Sequence, residues 1–126
     1  MQEDFSKMIA GHMDAGFLEN IIDMIKKDRE LLELVPVLIN DDRQRVRIGA
    51  VALVETFLEE NRNEIAALVP SISAALLNQN PSVRADAIYM LSLIGGVLAL
   101  AYLKQSVLDV HPMVREAAMD TIRELS

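Results

Sequence analysis

The 126-residue chain contains no cysteine and no tryptophan, and its aromatic residues are limited to 3 Phe and 2 Tyr. Without thiols it can form neither a disulfide framework nor a thiolate zinc site, and a cysteine nucleophile is excluded. A reducing compartment is compatible with that, and the cytoplasm is the expected location. With 4 Pro and 5 Gly, the chain is poorly supplied for the many tight turns of a small β-fold. Bases are also in deficit: 12 Lys and Arg against 19 Asp and Glu give a net charge of −7. An acidic chain without a basic stripe matches the phosphate backbone poorly, so neither nucleic acid nor an anionic membrane is expected as a partner. The opening residues, MQEDFSKMIAGHMDAG, lack the basic leader and apolar core of a signal peptide, and no export is expected. Long apolar runs are missing with one exception, residues 87–103, AIYMLSLIGGVLALAYL. That stretch is at the lower limit for a bilayer crossing and is broken by Gly95-Gly96, so it predicts two packed helices meeting at a turn.

The chain is well supplied with aliphatic residues. Hydrophobic residues make up 52% of the sequence, enough for an aliphatic core in a single soluble all-α domain spanning residues 1–126. The organising signal is a repeat. Residues 79–95, QNPSVRADAIYMLSLIG, carry Val83-Arg84 followed by Ala87, and the pattern recurs as Val46-Arg47-Ala50 and Val114-Arg115-Ala118, at offsets of 37 and 31 residues. A second element precedes each of these. Leu31, Leu34, Val35, Pro36 and Leu38 match Ile65, Leu68, Val69, Pro70 and Ile72 at an offset of 34, and Leu100, Leu103 and Val107 continue the register of Val69, Ile72 and Leu76.

Two helices per period of about 35 residues means stacked helical hairpins, each burying its apolar face only against its neighbours. We label the Val-Arg helices A and the helices before them B. Apolar spacing predicts two leading helices, over 4–13 and 17–28, that cap the N-terminal side (1–28), and then three B-A units over 29–125, about eight helices in all. Gly11 or Gly16 can end the first helix. Pro36 and Pro70 fall inside their helices and should kink or shorten them. Asn80 and His111 stand at N-cap positions before Pro81 and Pro112.

One further spacing recurs in every unit, an Asp or Asn six positions before the arginine: Asp41 and Arg47, Asn78 and Arg84, Asp109 and Arg115. With this motif and the matched apolar positions, residues 29–125 resemble the HEAT-repeat family, most closely its short phycobilin-lyase-type branch. The resemblance implies an α-α superhelix in which these acids and bases form a ladder through the loops joining successive repeats. Asn78 departs from Asp, so the middle rung is expected to lack one full charge.

No group of residues commits the chain to a reaction. His12 and His111 are its only histidines, and neither is followed by the glutamate of the paired His-Glu motifs that hold iron in the hydroxylases built on these repeats. There is no Gly-rich phosphate loop and no Gly-x-Ser-x-Gly. Asp41-Asp42 and Glu59-Glu60 read as helix-end residues rather than metal ligands. No catalytic residue, metal or cofactor is therefore assigned, and the seven methionines read as core filling.

The expected function is a non-enzymatic protein-binding module or scaffold subunit, using the face lined by the B helices. Superposing those helices makes outward columns of Glu33, Ala67 and Leu98, of Val37, Ser71 and Tyr102, and of Asn40, Ala74 and Gln105. Ala67, Ser71, Leu98 and Tyr102 are the candidate binding face, because this half of the chain has few charges and apolar patches mark interaction sites. The alternative, from the lyase-type resemblance, is bilin-lyase-like or other small-molecule handling in the concave groove. On the last helix Met113, Ala117 and Met119 leave no polar capping face. Such an end either continues a longer array or pairs with a second copy as a homodimer.

Overall fold

The computed structural model describes residues 2–125, and among them every regular element is helical. Helix α1 (Gln2–Asp14) ends at Gly16, whose φ of 97° supplies the left-handed turn, whereas Gly11 lies inside the helix. Helix α2 (Leu18–Lys27) buries Ile21 and Ile25 and places Lys26 and Lys27 in its last turn, near the negative end of the helix dipole.

The first B element is split. A 3-10 segment, Arg29–Leu34, is capped by the Asp28 carboxylate on the Glu30 amide and leads into α3 (Val35–Ile39). Pro36 lies in the first turn of α3, where its missing N–H has no intrahelical acceptor to satisfy. The second B element repeats this solution as α5 (Arg62–Ala66), α6 (Val69–Ile72) with Pro70 in its first turn, and a 3-10 segment Ser73–Leu77. In the third, Ala101 stands where the prolines were, and α8 (Gly96–Ser106) runs unbroken. Nine α-helices among the described residues, rather than about eight, follow from the second B element, where α6 starts anew at Pro70 after α5 has ended. The A helices are α4 (Gln44–Phe57), α7 (Pro81–Ile94) and α9 (Pro112–Leu125).

Helices α1, α4, α7 and α9 pack side by side in one layer. In the second layer α3 rests on α6, and α8 packs across α7 and α9. The repeat places its core in the same way each time: Val46, Val83 and Val114, with Ala50, Ala87 and Ala118, are all at 0% exposure. Each fully buried valine contributes on the order of 1.5–3 kcal/mol through removal of apolar surface from water. The alanines let the two layers approach, and a larger side chain there would overpack the contact.

Gly49 serves the same end between α1 and α4. A Cβ at that position would land on the Sδ and Cγ of Met13, which is itself buried at 2% exposure. The uncharged stretch 87–103 is the end of α7 and the start of α8, joined through Gly95 and Gly96 at φ 71° and 92°. No helix of the described residues is long and apolar enough to cross a membrane.

Candidate functional site

The loops between B and A elements share one hydrogen-bonding scheme. The side-chain oxygen of Asp41, Asn78 or Asp109 accepts from the backbone amide two residues on, at Arg43, Asn80 and His111, over 2.8, 2.9 and 2.9 Å. The backbone carbonyl of the same residue accepts from the arginine six positions later: Arg47 at 2.9 Å, Arg84 at 2.8 Å and Arg115 at 2.9 Å. Within one unit, then, the acid-to-arginine spacing serves a carbonyl bond that ties the loop to its helix, and the carboxylate is left for other use. Asn80 Oδ1 and His111 Nδ1 then cap the helices, accepting from Ser82 and Met113 amides at 2.9 and 3.1 Å.

Between units the side chains take over. Arg84 donates through Nε and Nη2 to both oxygens of Asp109, at 2.8 and 3.0 Å, a bidentate pair joining the second unit to the third. For Arg47 the corresponding loop position of the next unit holds Asn78, and the charge comes from elsewhere: its Nε donates to Asp86 Oδ2 at 2.8 Å. Arg84, which the motif pairs with Asn78, has a full charge partner in Asp109, and the carboxylate missing at position 78 is made up for Arg47 by Asp86, in the second turn of α7. Asn78 turns its amide to Asn40 Oδ1 at 2.8 Å. Arg47 is only 3% exposed, so an acceptor for its guanidinium is required rather than optional.

Two of the loop carboxyls are shifted. The Arg43 guanidinium, hydrogen-bonded to both oxygens of Asp41 at 3.0 Å, holds that carboxyl below its ordinary value against a smaller opposing push from burial. At Asp109, burial pushes the carboxyl up. The hydrogen bonds from Arg84, the His111 amide and the neighbouring positive charges together outweigh it, and the net direction is down.

On the B face, Ala67, Ser71 and Leu98 are exposed, as are Glu33, Val37, Asn40, Ala74 and Gln105. Tyr102 differs: it is half-buried and packs against the core, while its carbonyl accepts from the Ser106 hydroxyl. Val97, one position before Leu98, is 89% exposed and adds to the apolar surface at the start of α8.

Two grooves lie away from Ala67, Ser71, Leu98 and Tyr102. One, of about 420 Å³, runs between α1 and the first B element, with Phe5, Leu31, Leu34 and Val37 below a rim of Asp28, Glu30 and Glu33. The other, of about 290 Å³, lies between α4 and α7 and is lined by Ile48, Val51, Ala52 and Tyr89, with the Arg47–Asp86 pair at one side. Sequence reasoning missed the second groove because it treated the A helices as packing elements. The available signal was Ile48, an isoleucine on the α4 face opposite the buried Val46 and Ala50, now seen to be 58% exposed. The buried polar or charged residues among those described are Arg47 and Ser106, and both are hydrogen-bonded within the fold. His12 packs edge-on against Phe17 with ring centroids 6.0 Å apart. No group of three or more His, Cys, Asp or Glu side chains among the described residues is placed to hold a metal ion.

A family model for HEAT repeats matches residues 19–123. It takes in α2 as well as the three B-A units, beginning ten residues before the stretch that carries the motif resemblance. No curated protein and no solved structure matches the chain. With paired helices, the recurring buried Val and Ala, the arginine rungs and a family match over most of its length, the chain belongs to the HEAT-repeat family.

Proposed function

We propose that the chain is a non-enzymatic interaction module or scaffold subunit that binds a protein partner on the B face, through Ala67, Ser71, Leu98 and Tyr102. HEAT repeats as a class mediate protein–protein interaction or scaffolding. The observation that carries the reading is the start of α8, where Val97 and Leu98 are 89% and 49% exposed; Ala67 and Ser71, at the matching outward positions of the preceding B element, are exposed as well. Apolar side chains gathered on one uncharged face of a repeat array are the form that a partner-binding surface takes. Half-buried Tyr102 gives the patch a fixed aromatic edge, a common anchor in interfaces. The cytoplasm remains the expected setting.

The test is affinity purification from the native host with the wild-type chain and with Leu98→Glu combined with Ala67→Glu. Both substituted positions are exposed, so the fold should survive and circular dichroism should be unchanged. The reading predicts a partner that the wild type retains and the double variant loses. Equal recovery of every partner by both chains would refute it.

A further inference from the structure

The groove between α4 and α7 lies in the interior of the array, since α1 packs beside α4 and α9 beside α7. Gln44, Ile48, Val51, Ala52 and Glu55 line it at helical spacing, so it follows α4 for about 16 Å, with Tyr89 of α7 on the opposite wall. Ile48 and Tyr89 are 58% and 50% exposed, and the repeat itself shows that packing requires neither. The positions equivalent to Ile48 in the next two units hold Ala85 and Glu116, and those equivalent to Tyr89 hold Ala52 and Asp120. Where packing does decide, as at Val46, Val83 and Val114, all three units keep one residue. The charges around the groove have one sign to spare. Arg47 is spent on Asp86 and on the Asp41 and Asp42 carbonyls, and Arg45 of the same helix donates to the Asp14 carbonyl on the α1 side. Glu55 is exposed and has no basic partner among the described residues, and Asp86, its side chain 38% exposed, meets Arg47 through one oxygen. The floor is therefore apolar and the uncompensated charge is negative.

We propose that this groove docks a basic amphipathic helix of a protein partner, which lays an apolar side chain on Ile48 and Ala52 against the Tyr89 ring and sets a Lys or Arg against Glu55. Ile48 and Glu55 are two turns apart on α4, about 10 Å, so the partner's base stands about two turns from its apolar anchor. A helix suits a channel that runs along two helices, and the described residues offer no strand edge to which an extended segment could add. Complementary charge selects a basic partner over an acidic one. A second copy of the chain is disfavoured on the same ground, because its net charge is −7. The groove belongs to the A layer and the start of α8 to the B layer, so either interaction can fail without the other.

The test is selection of phage-displayed random peptides, about four helical turns long, on the wild-type chain, with the Ile48→Glu chain as counter-selection. Ile48 and Glu55 are exposed, so both Ile48→Glu and Glu55→Lys should keep the wild-type circular dichroism. Enriched peptides are expected to carry apolar residues at helical spacing and a Lys or Arg about two turns from them. A synthetic peptide of the enriched sequence should bind with Kd of about 100 μM or tighter and shift the amide resonances of α4 and α7. Ile48→Glu should weaken it at least about tenfold. Glu55→Lys should weaken it as well, and a peptide with Glu in place of its base should bind the Glu55→Lys chain better than the wild type. The proposal is overturned if no enriched peptide depends on Ile48, if the enriched peptides lack bases, or if the charge exchange restores nothing. Self-association of the wild type that Ile48→Glu abolishes would give the groove to a second copy and overturn it too.

Discussion

Arg47 and Arg84 occupy the same position in consecutive repeats, yet their carboxylates come from different places. Arg84 takes Asp109 from the next loop, and Arg47, for which that loop position is Asn78, takes Asp86 from the next helix. Asp86 has Gly49 and Ala117 at the corresponding positions of the other two units. That one position meets the neighbouring A-layer helix in three ways: a glycine that makes room for Met13, an aspartate that answers Arg47, and an alanine where Arg84 is already satisfied. A buried guanidinium requires an anion within reach, and the fold tolerates either backbone position as its source.

If so, the two rungs should be interconvertible. The largest effect is expected for Asp86→Ala, which leaves the 3%-exposed Arg47 with only its carbonyl acceptors, Asp41 and Asp42. Removing one partner of a buried pair should cost about 3 kcal/mol, read from urea unfolding. Adding Asn78→Asp to Asp86→Ala should restore most of that loss, because it offers Arg47 the arrangement that Asp109 makes with Arg84. If the double variant is no more stable than the single one, the two positions are not equivalent sources.

Asp109→Asn imposes on Arg84 the deficit that Asn78 leaves for Arg47. The asparagine oxygen can still accept from the His111 amide, so the loop should persist, and the loss is confined to the bidentate charge-assisted bonds from Arg84, about 2 kcal/mol. Here there is no Asp86 to compensate. Ala117→Asp introduced with Asp109→Asn should recover part of the stability, and on its own it should do little, since Arg84 then already has its acid. Recovery in the double variant is a coupling that two independent surface changes would not show.

The sequence carried the layered architecture because it depends on local periodicity: Val46, Val83 and Val114 recur at helical spacing and are buried alike. It also carried the loop motif, though not which atoms of Asp41 and Asp109 meet which arginine. Asp86 was illegible as a ladder member, since its partner Arg47 is 39 positions away and the two meet only because α4 and α7 pack side by side. The same holds for the groove lined by Ile48 and Tyr89, which belongs to two helices and to neither alone. On the B face, Leu98 and Ala67 were readable as outward from register. Tyr102 was not, because a tyrosine at an outward position can lie back onto the core, as it does here.

The smallest effect separates the rung carboxylate from the one at the edge of the ladder. Asp41 and Asp109 both titrate below their ordinary value, so the stability each contributes is fully present above the unfolded carboxyl value of about 3.9 and is lost as pH falls through the lower folded values. Arg43, which depresses Asp41, is 46% exposed, whereas Arg84, which pairs with Asp109, is 11% exposed. Water and salt screen the first pair more effectively than the second. Arg43→Ala should therefore flatten the acid limb of the stability curve only slightly, and less at high ionic strength. Asp109→Asn should flatten it clearly under both conditions. Equal flattening by the two variants would mean that the loop carboxylates act as one electrostatic set, and that exposure does not distinguish the edge of the ladder from its interior.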